Sequence, residues 1–318
     1  MRRARLLTAL VCAAAASAGV GPSAAAQSAP PAGAAPASSA PADRDMGGGR
    51  CAANAYNCAD APNPLPAPNT VWLEEMTWMD VRDALRAGKT TVIVPTGGME
   101  PNGPWLVTGK HNHVLRANCE AIARTLGSAL CAPIVKFVPE GEIDPPSGHM
   151  RSPGTISLRE GTFRALLTDV VHSLRMHGFR NVILIGDSGG NQRGQRAVAD
   201  SLTAVWKGSP VVAHVPEYYD YAKVAAHMAG RGLAAGPSDG LHDDPVITLN
   251  MLVDDPRSVR YDERVKAGKA TIDGVSIADR ERALALGREI VAYRAGLTAE
   301  AIRRAITNRG TLPARAER

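Results

Sequence analysis

Residues 181–192 read NVILIGDSGGNQ, an unbroken apolar run that passes directly into glycines and polar residues. A short continuous apolar run bounded by glycine is typical of a strand that is covered on both faces, as in the parallel sheets of α/β proteins. The residues that follow, 193–206, have a helical pattern. The stretch therefore predicts a buried strand, a glycine-rich turn and a helix.

Three other segments have the composition of short buried strands. They are TTVIVPT (90–96), APIVKFV (132–138) and SPVVAHV (209–215). Helical patterns separate them at 114–130 and 163–178, and in the second of these Gly178 supplies the end. Strands that alternate with helices indicate a mainly parallel β-sheet joined by right-handed crossovers. We therefore predict an α/β fold with helices on both faces of the sheet.

The N-terminus predicts an exported protein, either periplasmic or secreted. Residues 1–26 contain three early arginines, a short apolar run and a small-residue end, which is the pattern of a signal peptide and is too short for a membrane span. Residues 27–70 are rich in alanine and proline and predict a disordered lead. The remainder, 71–318, suits one α/β domain.

The cysteines fit an oxidising compartment. Cys51 and Cys58 lie in CAANAYNC, where a disulfide would close a small loop. Cys119 and Cys131 have two interpretations, a second disulfide or two buried free cysteines. The spacing alone does not choose between them.

The charge balance gives no sign of a polyanionic partner. The formal net charge is +5, and it falls to about +2 when the three arginines of the predicted signal peptide are removed. We therefore expect a small-molecule substrate, with neither nucleic acid nor an anionic membrane surface as a partner.

Polar segments follow three of the predicted strands. They are GGMEPNGPWLVTGKHNHV (97–114), PEGEIDPPSGHM (139–150) and GDSGGNQ (186–192). In an open parallel sheet the ligand site lies beyond the carboxyl ends of the strands. We expect these three segments to meet there.

Ser188 lies at the centre of GDSGG, which matches two serine-hydrolase patterns. The trypsin-like pattern requires a β-barrel with a histidine and an aspartate ahead of the serine, but here the motif ends an apolar strand and enters a helix, and no AAHC-like segment precedes it. The G-x-S-x-G nucleophile elbow requires a strand before and a helix after, and this context is present. A later acid and His242 would complete a triad, although no HGGG-like segment supplies an oxyanion hole. A serine hydrolase that uses Ser188 therefore stays an alternative.

Five separated segments, taken in order, carry a more extensive pattern. They are EEMTWMDVRDAL with TVIVPTGGMEPNGPWL, then SGHMRSPGTISL, HGFRNVILIGDSGGNQ, GLHDDPVITLNMLVDDPRSVR and GVSIADRERALALGREI. Together they resemble the creatininase family of metal-dependent amidohydrolases, over about residues 72–306. The resemblance implies a three-layer α/β/α fold and a homo-oligomer, commonly a hexamer. It also implies hydrolysis of a non-peptide or cyclic amide C–N bond of a small molecule by a metal-activated water.

The same resemblance implies a changed set of metal ligands. Glu100 matches a family ligand, whereas Asn102 stands where the family has histidine. His111 replaces a bridging aspartate, and Ser188 replaces the histidine of the glycine-rich loop. Asparagine and a neutral hydroxyl are poor ligands, and an imidazole does not bridge two ions as a carboxylate does. On this interpretation Ser188 is a replaced ligand and not a nucleophile.

We therefore expect one divalent ion per chain, either zinc, manganese or iron. Glu100 and His111 are its predicted ligands, with Asp187 or His113 completing the set. Each of these also has an ordinary structural interpretation. The carboxylates would then cap a loop or a helix, and the histidines would lie on the surface.

Other residues are predicted to contact substrate. His242 matches a family histidine that is suited to protonate the leaving nitrogen, but Ile247 stands where the accompanying glutamate is expected. His149 would face the site or a neighbouring subunit, or would make a structural hydrogen bond. The predicted substrate-binding residues are Asn102, Asn191, Tyr218 and Tyr219. Because the ligand set is altered, a small-molecule-binding protein that has lost the chemistry is a further alternative.

Overall fold

A computed structural model describes residues 49–233 and 242–309. The predicted signal peptide, residues 1–26, and the lead up to residue 48 lie outside the described residues. The chain divides into two compact units, Met1–Pro62 and Asn63–Arg318. In the described part of the first unit, Cys51 and Cys58 form a disulfide around a short turn, Ala55–Asn57.

The second unit begins eight residues earlier than the predicted boundary at residue 71. Asn63 explains this because its side-chain amide donates to Asp80 Oδ1 at 2.8 Å. Asp80 also forms a capping box with Thr77 at the start of the first helix, α1, Trp78–Arg86. Residues that precede the predicted domain are thus tied to its first helix.

Four parallel strands form the central sheet in the order β2-β1-β3-β4. They are β1 (Thr91–Thr96), β2 (Ala129–Cys131), β3 (Asn181–Gly186) and β4 (Val211–His214). In the register, Thr91 of β1 pairs with Ala129 on one side and Asn181 on the other. The strands are buried along almost their whole length, which explains their continuous apolar sequences.

Helices cover both faces of this sheet, so the predicted α/β/α architecture is confirmed. The remaining helices and the small β5-β6 hairpin are α2 (Lys110–Leu126), α3 (Glu160–Met176), α4 (Gly189–Trp206), α5 (Tyr221–Ala229), α6 (Pro245–Asp254), α7 (Tyr261–Lys266), α8 (Arg280–Thr307), β5 (Thr271–Ile272) and β6 (Val275–Ser276). Right-handed crossovers place α2 on one face and α3 and α4 on the other. The long helix α8 packs against α2, and α6 packs against both.

The prediction of a strand at 132–138 is wrong. The second strand is the preceding segment Ala129–Cys131, and residues 132–138 contribute only isolated bridges, from Val135 to Thr96 and from Val138 to Ser157. Pro133 interrupts the segment because it has no N–H to donate to a ladder. The chain therefore leaves the sheet early and passes across the carboxyl end of β1.

Two helices begin four residues earlier than their patterns predict. The first is α2, which begins at Lys110 where 114 is predicted and ends before Gly127, whose φ of 74° favours glycine. The other is α4, which begins at Gly189 where 193 is predicted. The polar residues at both helix starts are thus held on regular structure. In neither described range, 49–233 or 242–309, does a helix combine the length and apolar character that crossing a membrane requires.

Candidate metal centre

A cavity of about 1030 Å³ lies at the carboxyl end of the sheet. Its wall includes residues from each of the three polar segments that follow β1, β2 and β3, and also the start of α6. Glu100 and His111 come from the first segment, Glu140 and His149 from the second and Ser188 from the third. The sheet topology therefore brings together the segments that the sequence indicated.

Glu100 is the central residue of this cavity and is 2% exposed. Its Oε2 lies 3.1 Å from both His111 Nε2 and His149 Nδ1. Its Oε1 lies 2.6 Å from Lys110 Nζ and 3.4 Å from His242 Nδ1. Burial alone would raise the pKa of Glu100, but contacts with His111 and Lys110 hold it far below the ordinary range of a carboxyl. Glu100 is therefore ionised.

Glu140 completes a group of three buried metal-binding side chains. One ligand atom each from Glu100, His111 and Glu140 lies within 4.8 Å of the others. Burial raises the pKa of Glu140, and the neighbouring charge of Glu100 adds to this. A divalent cation would reverse both effects by stabilising the two carboxylates.

The chemistry of this group fits a divalent ion. Two carboxylates and one imidazole are ligands that zinc and manganese accept. Glu140 Oε1 is buried and has no hydrogen-bond partner among the described residues, and His111 Nε2 is buried with Glu100 Oε2 as its neighbour at 3.1 Å. Buried polar atoms normally have a partner, so Glu140 Oε1 is available to a ligand.

Asp187, predicted as the third ligand, lies behind His111 and not among these three side chains. Its Oδ2 is 2.9 Å from His111 Nδ1, and its Oδ1 accepts from Arg294 at 3.0 Å and from the Tyr221 hydroxyl at 2.8 Å. Although burial opposes it, contact with His111 and Arg294 lowers the pKa of Asp187. A carboxylate on Nδ1 keeps the proton there and leaves Nε2 free as a ligand. Asp187 is thus placed to orient His111.

Arg294 anchors Asp187 from α8 and was not identified from the sequence. It is 2% exposed, donates to the Tyr218 carbonyl at 3.0 Å and lies over the rings of Tyr218 and Tyr221. Tyr218, predicted to contact substrate, is therefore buried against Arg294, whereas Tyr219, which has the same prediction, lines the cavity. An arginine within a long helix gives no local signal for this contact.

His242 and His149 both line the cavity. His242 Nδ1 faces Glu100, and its ring meets that of His149 edge-on at 5.8 Å between centroids. Burial lowers the pKa of His242, and the nearby charge of Lys110 adds to this effect. His149 Nδ1 also lies 3.0 Å from Glu140 Oε2. Ile247, which stands at the position of the missing glutamate, lines the cavity.

Ser188 is the N-cap of α4 and is 5% exposed. No histidine within residues 49–233 or 242–309 forms a hydrogen bond with it. The neighbouring glycines have packing roles. A Cβ on Gly190 would lie 2.4 Å from the carbonyl oxygen of Pro139. A Cβ on Gly186 would lie 2.1 Å from the side-chain amide nitrogen of Gln195. The GDSGG sequence therefore allows close approach of backbone and helix, and it does not assemble a nucleophile with a base.

The two asparagines predicted to bind substrate hold the loop after β1. Asn102 donates to the carbonyls of Glu100 and Val107 at 3.2 and 3.0 Å. Asn191 donates to the Thr96 carbonyl and hydroxyl and to the Gly97 carbonyl. Neither side chain lines the cavity. They are placed to fix the loop that carries Glu100.

His113, the other candidate ligand, is directed away from the cavity. Its Nδ1 lies 2.7 Å from Asp254 Oδ2 on α6. Lys110, three positions earlier, faces the cavity instead and was not predicted as a site residue from the sequence. The sequence did not decide whether Cys119 and Cys131 are paired or free, and the structure shows a disulfide between them that joins α2 to β2.

Comparison with known proteins gives a consistent result. The family profile described as creatinine amidohydrolase matches residues 74–306. A creatinine amidohydrolase of Pseudomonas putida is 26% identical over 116 residues, which are 36% of this chain and 44% of that protein. A 3-dehydro-scyllo-inosose hydrolase of Thermotoga maritima is 27% identical over 125 residues, 39% of this chain and 38% of the other. The matched stretches thus span less than half of either relative.

Solved structures show the same fold. A creatinine amidohydrolase crystal structure has a TM-score of 0.52 at 20% identity, covering 77% of this chain and 100% of that one. A manganese creatininase and a mutant creatininase of zinc–zinc type each have a TM-score of 0.51 at 19% identity, with the same coverage.

Proposed function

The chain belongs to the creatininase family, and we propose on that basis that it is a hydrolase of small molecules that requires one divalent metal ion. The observation that carries the proposal is the buried group of Glu100, His111 and Glu140 at the wall of a large cavity. A divalent ion bound there would polarise a substrate carbonyl and lower the pKa of a coordinated water. Zinc, manganese and iron all suit this donor set.

The surrounding residues have separate roles in this proposal. Asp187 holds the proton on His111 Nδ1 so that Nε2 faces the ion. His242 borders the cavity with its side chain 31% exposed, and burial lowers its pKa, so that it is neutral and able to transfer protons at neutral pH. Tyr219 and His149 line the wall beside it and are the candidate substrate contacts.

The substrate class that we propose first is a small amide or cyclic amide, cleaved at its C–N bond. Support comes from the Pseudomonas putida relative, which is described as a creatinine amidohydrolase. The Thermotoga maritima relative is described as a hydrolase of 3-dehydro-scyllo-inosose, so that compound belongs in the same substrate panel.

A binding protein without catalysis is the second candidate. The buried ion pair between Lys110 and Glu100 favours it, because this pair already compensates the central carboxylate without any ion. Metal content separates the two candidates.

The decisive experiment is elemental analysis of protein purified without chelator. We expect about one zinc, manganese or iron per chain in the wild type. Glu140→Gln should lose the metal, whereas Glu142→Gln, an exposed glutamate of the same loop, should retain it. Metal-loaded protein is then assayed on creatinine, small lactams, formamides and the inosose. A metal-free wild type would remove the hydrolase proposal and leave the binding protein.

We also propose export and a homo-oligomer. The two disulfides support an oxidising compartment. Phe137 and Ile156 are 50% and 46% exposed on either side of the Val138–Ser157 bridge, and a second copy would cover this apolar surface. Light scattering of the purified protein and N-terminal sequencing of the exported form test these two points.

A further inference from the structure

The two oxygens of Glu100 face different surroundings. Oε2 faces the imidazoles of His111 and His149, on the side of the predicted metal group. Oε1 faces Lys110 Nζ at 2.6 Å, with His242 Nδ1 at 3.4 Å. One carboxylate thus presents one oxygen to a predicted metal position and the other to an ammonium group.

Lys110 is an unusual neighbour for a metal position. Its side chain is only 3% exposed, and burial of an unpaired ammonium is strongly unfavourable. Its one ion pair within the described ranges is with Glu100. The first turn of α2 fixes it there, directly before the ligand His111. Lys110 also lines the cavity.

The atoms around this ammonium would suit a second metal ion. His242 Nδ1 is buried without a hydrogen-bond partner among the described residues, and Glu100 Oε1 lies beside it. An imidazole nitrogen and a carboxylate oxygen are ordinary metal ligands. In two-metal hydrolytic sites the ions lie close together, and one solved relative is described as zinc–zinc.

We propose that the Lys110 ammonium takes the place of a second metal ion at Glu100, so that the site holds one divalent ion and one fixed cation. This inference rests on the proposed function, because it assigns the other half of the same site. An ammonium has three N–H donors, and those not directed at Glu100 are available to a substrate oxygen that gains negative charge. The substrate class that follows is a carbonyl compound whose oxygen lies between the metal ion and Lys110.

Metal stoichiometry tests this inference without any assay of activity. Wild type, Lys110→Ala, Lys110→Gln and Lys110→Arg are dialysed against excess Mn²⁺ and then Zn²⁺, and bound metal per folded chain is measured by native mass spectrometry. We expect one ion in wild type and Lys110→Arg, and two ions in Lys110→Ala and Lys110→Gln. Two neutral variants are used so that the result does not depend on one of them folding. Lys136→Ala, which removes an exposed lysine elsewhere on the domain, should keep one ion.

The other outcomes are distinct. One ion in both neutral variants would overturn the inference and leave the proposed function intact. Two ions in the wild type would overturn the inference and the single-ion stoichiometry of the proposed function, but not its dependence on metal. No ion in the wild type would remove the proposed function, and the inference with it.

Discussion

His111 Nδ1 lies 2.9 Å from Asp187 Oδ2, and the other oxygen of Asp187 accepts from both Arg294 and Tyr221. This arrangement fixes the orientation of the carboxylate completely, because one oxygen faces two donors and the other faces the imidazole. A proton of His111 is thereby held on Nδ1, and Nε2 faces Glu100; although burial opposes it, contacts with Asp187 and Glu100 raise the pKa of His111. A residue of the C-terminal helix α8 thus positions the carboxylate that holds a predicted metal ligand.

Asp187→Asn is expected to weaken metal binding by about 10- to 100-fold, the usual effect of losing such an orienting partner. Arg294 and Tyr221 are both donors and would claim the amide oxygen, so the NH₂ group would face His111 Nδ1. The imidazole proton would then move to Nε2, where it blocks the metal. Competition with a chelating dye measures the dissociation constant.

The control for this variant is Asp254→Asn. Asp254 makes the corresponding contact with His113, two residues along the same helix and directed away from the cavity. This variant should bind metal like the wild type. An equal loss of affinity in both would show that the effect does not depend on His111.

Arg294→Met is expected to lower the free energy of unfolding by about 3–5 kcal/mol, because it leaves the carboxylate of Asp187 buried without its cation. Urea unfolding followed by circular dichroism measures this change. Arg304→Met on the same helix removes ion pairs to Glu300 and Glu217 from a side chain that is 49% exposed. The Arg304→Met variant should lower the free energy of unfolding by at most about 1 kcal/mol. Similar losses in the two variants would contradict the buried pair as the cause.

His214 predicts a pH dependence of stability. Burial lowers its pKa from 6.5 to about 4, and the charge of Arg196 adds to this. Between these values the unfolded chain binds a proton that the folded protein does not, so stability is full above pH 6.5 and falls as the pH decreases toward 4. The free energy of unfolding decreases by about 3 kcal/mol over this pH window.

The measurement compares unfolding free energies of wild type and His214→Asn from pH 4 to 8. The difference between them should rise with pH up to about 6.5 and then stay constant. A difference that does not vary with pH would mean that His214 titrates normally in the folded protein.

Ser188 is expected to remain unlabelled by a fluorophosphonate probe. A serine nucleophile requires a base within hydrogen-bond distance, and among the described residues His111 and His242 instead face Glu100. Mass spectrometry of the treated protein checks the adduct, with a known serine hydrolase as positive control. A stoichiometric adduct on Ser188 would restore the nucleophile-elbow interpretation.

The fold was largely predictable because buried parallel strands have continuous apolar sequences. Three of the four predicted strands agree with β1, β3 and β4, within two residues at each end. The segment 132–138 misled the prediction because it is apolar like a strand, while Pro133 and the short β2 direct it across the sheet end. Composition does not distinguish an apolar crossing segment from a strand.

The site was predictable only in part. The resemblance to the creatininase family gave Glu100 and His111, and the convergence of parallel strand ends predicted that their loop lies at the site. Glu140 lies in a segment that was expected at the site, but Glu142 and Asp144 are as acidic and the sequence does not rank them. Arg294 contacts Asp187 across 107 residues, and no local pattern reports such a pair.

The Cys119–Cys131 disulfide is expected to stabilise the domain. It joins α2 to β2 at a sequence separation of 12, and both cysteines are fully buried. Closing a loop of this size stabilises by about 3 kcal/mol in the chain-entropy model. The double variant Cys119→Ala/Cys131→Ala should therefore unfold at a lower urea concentration, and its free energy of unfolding should be lower by about 2–4 kcal/mol.

The control is the double variant Cys51→Ala/Cys58→Ala, whose disulfide lies in the other unit. It should leave the unfolding transition of the α/β domain unchanged. Alkylation of the unreduced protein verifies the bonds, and free thiols at Cys119 and Cys131 would show that the domain is stable without this link.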